Sequence, residues 1–225
     1  PNLLGVAAPT DVLPARTIAV AQRLGHFVVE TPKVARAFLK TLSPERVIAD
    51  VAIVPCDPEA AAIAQCAAWL KAGIDVGVVS DAGCPGMADP GALFVALAHQ
   101  LGAPVVPLVG PSSVLLGLMA SGFDGQHFAF HGYLPSKPVE RDRALQQLER
   151  QLAATGATQV FIETPYRNAA LWQALTQTLQ TNTRLAMAAG LTLESAKLCS
   201  LPVKQWRQRE IPVDNRTPTV FLIGR

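Results

Sequence analysis

An apolar run, Val76 to Val79, leads straight into Ser80-Asp81-Ala82-Gly83-Cys84-Pro85-Gly86-Met87-Ala88-Asp89-Pro90-Gly91. That segment leads into a helix-like run over residues 92–101. A strand, a Gly/Pro-rich loop and a helix start in this order restrict the chain to an α/β arrangement, where ligands bind just outside the carboxyl ends of strands. Ordinary strand-to-helix connectors run about 2–6 residues. This one is longer, and its glycines admit positive φ and close backbone approach. The segment is therefore expected to be a ligand loop, with Asp89 as helix cap and Pro90 at the first helical position.

The same alternation recurs along the first half. Residues 12–24 read as a helix, 26–30 as a short buried strand, 33–42 as an amphipathic helix and 47–54 as a strand. Asp57-Pro58 opens another helix that places Ile63, Ala67 and Leu70 on one face. Residues 75–79 form the strand before the ligand loop, and 105–108 the next strand. This order predicts a mostly parallel sheet flanked by helices. A second Gly/Pro-rich loop, Val109-Gly110-Pro111-Ser112-Ser113, precedes a helix over 114–120, whose first-turn N–H groups suit a polar ligand edge.

Residues 122–125 read as a hinge, giving an N-terminal α/β domain over 1–123 and a C-terminal one over 126–225. In the second, strands are expected at 128–132, 158–162, 184–188, 197–201 and 219–223, with helices at 137–154 and 165–179, making a mixed sheet with helices. The opening Pro1-Asn2-Leu3-Leu4-Gly5-Val6 reads as a loop with no strand before it, so an N-terminal strand is expected upstream.

Composition narrows the class. With 225 residues, half of them hydrophobic, the chain can bury a sizeable core. A net charge of +2 does not indicate nucleic-acid binding through broad electrostatics. Cys56, Cys66, Cys84 and Cys199 form no CxxC pair and have no histidine at metal spacing, which predicts reduced thiols in a cytoplasmic protein and no metal. No apolar run reaches the roughly 20 residues of a membrane span, and no signal peptide is evident. No G-x-G-x-x-G follows a strand, which argues against a Rossmann dehydrogenase.

These blocks resemble the tetrapyrrole methylase family of S-adenosylmethionine-dependent methyltransferases. The nearest branch is the one that methylates a cytidine 2′-hydroxyl of 16S ribosomal RNA. Residues 80–91 resemble its VSDAGTPGISDPG block, with Cys84 in place of Thr. Residues 107–113 resemble PLPGPSA, 128–135 resemble FxFxGFLP and 162–167 resemble YESPHR; Thr217-Pro218-Thr219-Val220 matches the last block. The resemblance implies two α/β domains with the cofactor in the interdomain cleft, a homodimer, and ribosomal RNA as partner. It implies cofactor contacts from Pro1, Ala82, Gly83, Cys84, Pro85, Ser112 and Ser113, and from Glu163, Thr164, Leu191, Thr192, Pro218 and Thr219. The branch's EDTR block is Glu30-Thr31-Pro32-Lys33 here, and its TPIGN loop is Pro1-Asn2-Leu3-Leu4-Gly5. Both departures lie on the side expected to face the acceptor. Methylation of a tetrapyrrole or other small molecule, or cofactor binding without catalysis, are the alternatives.

Methyl transfer from a sulfonium is an in-line displacement, so the protein mainly aligns the acceptor and takes its proton. Glu30 and Asp81, at strand ends beside the loop, are the candidate catalytic residues; Asp81 also suits hydrogen bonding to loop N–H groups. Asp89, Glu163 and His131 are weaker candidates, Asp89 being more simply a cap, His131 more simply structural, and Glu163 suited either to the cofactor or to positioning Arg167. Lys137, Arg141, Arg143 and Arg150, with Tyr166 and Arg167, form either a phosphate-gripping strip or a solvated charged face.

Overall fold

The structure, a computed structural model, describes residues 1–5 and 8–225; Val6, at the end of the expected opening loop, lies outside the described residues. The chain divides into two compact units, Pro1–Ser112 and Ser113–Arg225. The division falls before the helix at 113–121, ahead of the 122–125 hinge that the sequence suggests, because that helix packs on the second sheet.

The first unit contains α1 (Pro9–Val12), α2 (Ala15–Arg23), β1 (His26–Val29), α3 (Pro32–Leu42), β2 (Ala52–Pro55), α4 (Glu59–Lys71), β3 (Val76–Val79) and α5 (Ala92–Gln100). Its sheet is parallel, in the order β2-β1-β3, with His26 opposite both Ala52 and Val76. The central strand β1 is covered on both faces, which is why it reads as a continuous apolar run. Phe27 and Val29 pack with Ala35, Phe38, Leu39 and Leu42 of α3, whereas Val28 packs with Ala62 and Cys66 of α4 and Phe94 of α5.

Several sequence expectations are corrected here. The helix expected over 12–24 is interrupted: Leu13 is extended, as the residue before a proline tends to be, and α2 starts only after Pro14. The strand expected over 47–54 begins as a 3-10 turn, Ile48–Asp50, and pairs only from Ala52, whose N–H bonds to the Gly25 carbonyl. The strand expected over 105–108 is absent. Pro104 and Pro107 lack the N–H donors a ladder needs, and Val105, Val106 and Val109 are exposed.

The second unit contains α6 (Ser113–Ser121), β4 (Phe128–Tyr133), α7 (Pro138–Thr155), β5 (Thr158–Glu163), α8 (Asn168–Thr178), β6 (Arg184–Ala189), β7 (Lys197–Pro202), α9 (Val203–Trp206) and β8 (Thr219–Gly224). Its sheet runs β4-β5-β8-β6-β7, with β4 parallel to β5 and the remaining pairs antiparallel, so it is mixed as expected. Alternation along the strands builds two layers of core. Phe161, Met187, Phe221 and Ile223 pack under α7 and α8, with Trp172 and Trp206 edge to face at 4.8 Å. Val160, Ala186, Val220 and Leu222 face Val114 and Leu118 of α6. Gly117 lets α6 approach the sheet closely, since a Cβ there would lie 3.1 Å from Val220.

Candidate functional site

In the first unit, all three strands deliver polar side chains to the carboxyl edge of the sheet, where open α/β sheets bind ligands. Backbone bonds continue past the strands: the Glu30 N–H donates to Val79 O (3.1 Å) and the Cys56 N–H to Val29 O (2.7 Å). Glu30, Cys56, Ser80 and Asp81 therefore share one rim. The Glu30 carboxylate accepts the Asp81 N–H at 2.9 Å through Oε2. The Asp81 carboxylate in turn accepts the Thr31 N–H at 3.0 Å and the Thr31 hydroxyl at 2.7 Å. The two candidate catalytic residues thus meet, through the Glu30 carboxylate and the Asp81 N–H, and the Asp81 carboxylate is engaged at both oxygens by Thr31.

Asp89 does not cap α5; Gly91 occupies that position and no side chain caps the helix. Two glycines on the loop before it approach too closely for a side chain: a Cβ on Gly91, at φ +152°, would sit 2.7 Å from Gly86 N. This tight turn displaces Asp89 from the cap. Burial, together with the neighbouring Glu30 and Asp81 charges, pushes the Asp89 carboxyl up to about 6 against the opposing Ser80 hydrogen bond. Burial, Glu30 and Asp81 also push the Cys56 thiol up. Both residues line a half-open depression of about 390 Å³ with Asp57, Glu59 and Phe94.

The loop itself is braced from two sides. Buried Asn2 donates its side-chain amide to the carbonyls of Ser80 (3.1 Å) and Asp81 (3.0 Å), and its backbone N–H to Gly83 O (2.7 Å). The Cys84 thiol donates to Pro111 O at 3.3 Å, tying the first Gly/Pro-rich loop to the second. Gly83 takes φ +66°, and a Cβ on it would press on Leu4 and the Pro111 carbonyl. Pro1, Ala82, Gly83, Cys84, Pro85 and Ser112, expected cofactor contacts of this unit, thus cluster around one braced pair of loops, with Pro1 against Gly110.

In the second unit, the expected contacts fall at the ends of β5 and β6 and at the start of β8. Glu163 is buried, and its Oε1 accepts the Thr164 N–H (2.7 Å), the Thr164 hydroxyl (3.1 Å) and Arg167 Nη2 (2.6 Å). Glu163 therefore positions Arg167 across the 3-10 turn Pro165–Arg167. Leu191 and Thr192 follow β6, with Thr192 at a left-handed φ of +72°, rare for a β-branched residue. Pro218 O accepts the Gly190 N–H (3.0 Å), joining that turn to the entry of β8 at Thr219. Ser113 is the first residue of α6.

His131 Nε2 pairs with Gln159 Oε1 at 2.7 Å on the neighbouring strand. Of the basic strip, Lys137 pairs with Glu140 and Arg141 with Asp142. Sequence reasoning overlooked Asn2, Thr31 and Asn168. The first two stand beside motif residues that flag the region, whereas Asn168 sits at the start of an unremarkable helix. Among the described residues, no group of His, Cys, Asp and Glu could hold a metal ion, and no helix is long and apolar enough to cross a membrane.

A stretch of 136 residues is 33% identical to ribosomal RNA small subunit methyltransferase I of Vibrio cholerae, covering 60% of this chain and 46% of that protein. Another, of 99 residues, is 39% identical to the protein of that name from Bacillus subtilis, covering 44% of this chain and 32% of that one. The chain thus matches less than half the length of these relatives. Among solved structures, the methyltransferase CobJ superposes with a TM-score of 0.62 at 18% identity, over 96% of this chain and 89% of its own. Uroporphyrin-III-C-methyltransferase of Thermus thermophilus gives 0.57 at 16% identity, over 98% and 91%. At these identities the superpositions establish a shared fold. The family model of tetrapyrrole (corrin/porphyrin) methylases matches residues 9–205, and the chain belongs to that family.

Proposed function

We propose that this chain binds S-adenosylmethionine and transfers its methyl group to a ribose 2′-hydroxyl of small-subunit ribosomal RNA. Family membership, with relatives named as ribosomal RNA methyltransferases, supports the reaction class. The observation that carries the reading in this chain is the rim of Glu30, Asp81 and Asp89 beside the braced loops. A sulfonium is a cation, and a rim of carboxylates fits it, while loop backbone close to glycine offers donors and acceptors to the rest of the molecule.

In this reading Pro1, Ala82, Gly83, Cys84, Pro85 and Ser112 hold the cofactor from the first unit. Ser113, Glu163, Thr164, Leu191, Thr192, Pro218 and Thr219 hold it from the second. The bound cofactor supplies an already activated methyl group. Glu30 takes the acceptor's proton at Oε1, because its Oε2 is committed to the Asp81 N–H. Asp81 keeps Glu30 in place by holding Thr31, the next residue along the chain.

A second reading, with a small-molecule acceptor, is favoured by the same acidic rim, which repels phosphate. The test has two steps. Calorimetric titration with S-adenosylmethionine, S-adenosylhomocysteine and NAD is expected to show binding of the first two only. Labelled methyl should then pass to small-subunit RNA from a strain lacking this modification. Cofactor binding without RNA labelling would sink the RNA acceptor and leave the small-molecule one; no binding at all would sink both.

A further inference from the structure

Asn168 is fully buried where α8 begins, immediately after the turn that follows Glu163 and Thr164. Its Nδ2 lies within hydrogen-bond distance of three acceptors: Asp214 O (3.1 Å), Thr217 O (2.8 Å) and Thr219 Oγ1 (3.3 Å). An amide nitrogen carries only two hydrogens, so these acceptors share them. The side-chain Oδ1 is buried with no hydrogen-bond partner among the described residues. Asparagine at a helix start commonly serves through that oxygen, as a cap. Here the oxygen serves nothing, and a buried unsatisfied acceptor is a cost. What the residue contributes is the amide donor.

The segment it holds is continuous with much of the second unit's proposed site. The Asp214 carboxylate accepts the Arg216 and Thr217 N–H groups at 2.8 and 2.6 Å, and the Ala169 N–H donates to Asn215 Oδ1, so residues 214–217 form a closed turn against α8. Thr219 Oγ1 passes a hydrogen bond to Thr217 O at 3.0 Å. Pro218, between them, accepts the Gly190 N–H and so fixes the start of the Leu191–Thr192 turn. One buried amide therefore holds Thr217 and Thr219 directly, Pro218 through these two chain neighbours, and the 190–192 turn through Pro218.

We propose that Asn168 is the positioning residue of the second unit's cofactor-binding segments, a role that rests on the reading of Pro218, Thr219, Leu191 and Thr192 as contacts. The test measures S-adenosylhomocysteine affinity by calorimetry in the full chain, alongside thermal unfolding. Asn168→Leu keeps the branched heavy-atom skeleton with somewhat bulkier ends, removes the unsatisfied oxygen and loses the donor. It is expected to unfold cooperatively while its Kd rises at least tenfold. Asn168→Ser, which retains one shorter donor, should fall between and is the variant to read if the leucine variant does not fold. Thr158→Val removes another buried hydrogen bond of the same unit, Thr158 Oγ1 to Asp124 O. It should shift unfolding and leave Kd unchanged. A Kd in Asn168→Leu within twofold of the parent, or an equal loss in Thr158→Val, overturns the proposal. Amide exchange in the ligand-free variants gives a second reading. Protection at Gly190 and Thr217 should fall, and unchanged protection would refute the positioning role even if the parent bound no cofactor. That last outcome by itself would remove the contact reading on which the proposal rests.

Discussion

The Asp81 carboxylate is bound at both oxygens by Thr31, through the backbone N–H at 3.0 Å and the hydroxyl at 2.7 Å. Because Thr31 follows β1 and Asp81 follows β3, this pair ties two neighbouring strand ends. Glu30 completes the tie from the other side by accepting the Asp81 N–H. The carboxylate that sequence reasoning places among the catalytic candidates is thus spent on holding its neighbour.

The first prediction follows from that pair. Asp81→Ala leaves the Thr31 N–H without its acceptor and should cost about 2 kcal/mol, in the range of hydrogen bonds to charged groups. Thr31→Val removes the hydroxyl bond alone and should cost about 1 kcal/mol. The double variant should be less destabilised than the sum, because both changes break one shared interaction. Urea unfolding of the four proteins measures the coupling, and strict additivity would contradict the arrangement.

Asp89 gives a pH dependence whose sign can be fixed in advance. Its carboxyl is pushed up to about 6 in the folded protein from an ordinary 3.8. Between those values the folded chain holds more protons than the unfolded one, so stability declines as pH rises from about 4 to about 6 and is level above. The side chain is only partly buried, so after solvent screening the effect should be about 1 kcal/mol. Asp89→Asn should remove this slope, raising the unfolding temperature at pH 7.5 and leaving it unchanged at pH 4. A slope that persists in the variant would assign it to other groups.

What the sequence discloses here and what it hides have separate physical causes. β1, β3 and α5 are legible because buried parallel strands are continuous apolar runs and the loop between β3 and α5 is marked by glycine and proline. The rim at Glu30 and Asp81 is legible for the same reason, since strand ends follow from strand positions. The break at Leu13 and the unpaired 105–108 stretch are masked in the sequence by apolar periodicity, although the prolines at 14, 104 and 107 are what interrupt helix and ladder. Cap rules are local and point to Asp89, whereas the close Gly86–Gly91 approach that moves the helix start depends on the folded loop. Asn168 gives no signal at all: the acceptors that make it matter lie more than forty residues downstream.

Arg167 and Glu163 yield a third prediction. The carboxylate is almost fully buried and the guanidinium is about a quarter exposed, at 2.6 Å. Removing the cation leaves a buried charge with Thr164 as its remaining donor among the described residues, so Arg167→Ala should cost about 3 kcal/mol. Glu163→Gln keeps an acceptor for the Thr164 N–H and leaves a more exposed group to find water, so it should cost less, about 1–2 kcal/mol. Thermal unfolding ranks the two variants, and the reverse order would show that the pair is held for Arg167 instead of Glu163.

The last prediction tests whether the first loop's shape, and not only its side chains, is required. Gly91 lies at φ +152°, where an L side chain is strained, and its added Cβ would come within 2.7 Å of Gly86 N and 3.2 Å of the Pro85 carbonyl carbon. Both obstacles are backbone, so no rotamer change relieves the clash and the loop itself must open. Gly102 makes the right comparison: it has φ +69° but open space around a Cβ, so Gly102→Ala meets conformational strain without collision and should cost about 1 kcal/mol. Gly91→Ala should exceed that cost and also displace residues 85–86, which the proposed cofactor contact at Pro85 cannot tolerate. S-adenosylhomocysteine titration of the two folded variants separates the effects. Affinity should drop at least tenfold in Gly91→Ala and stay within twofold in Gly102→Ala, while equal affinities would show that the cofactor does not read the backbone of this loop.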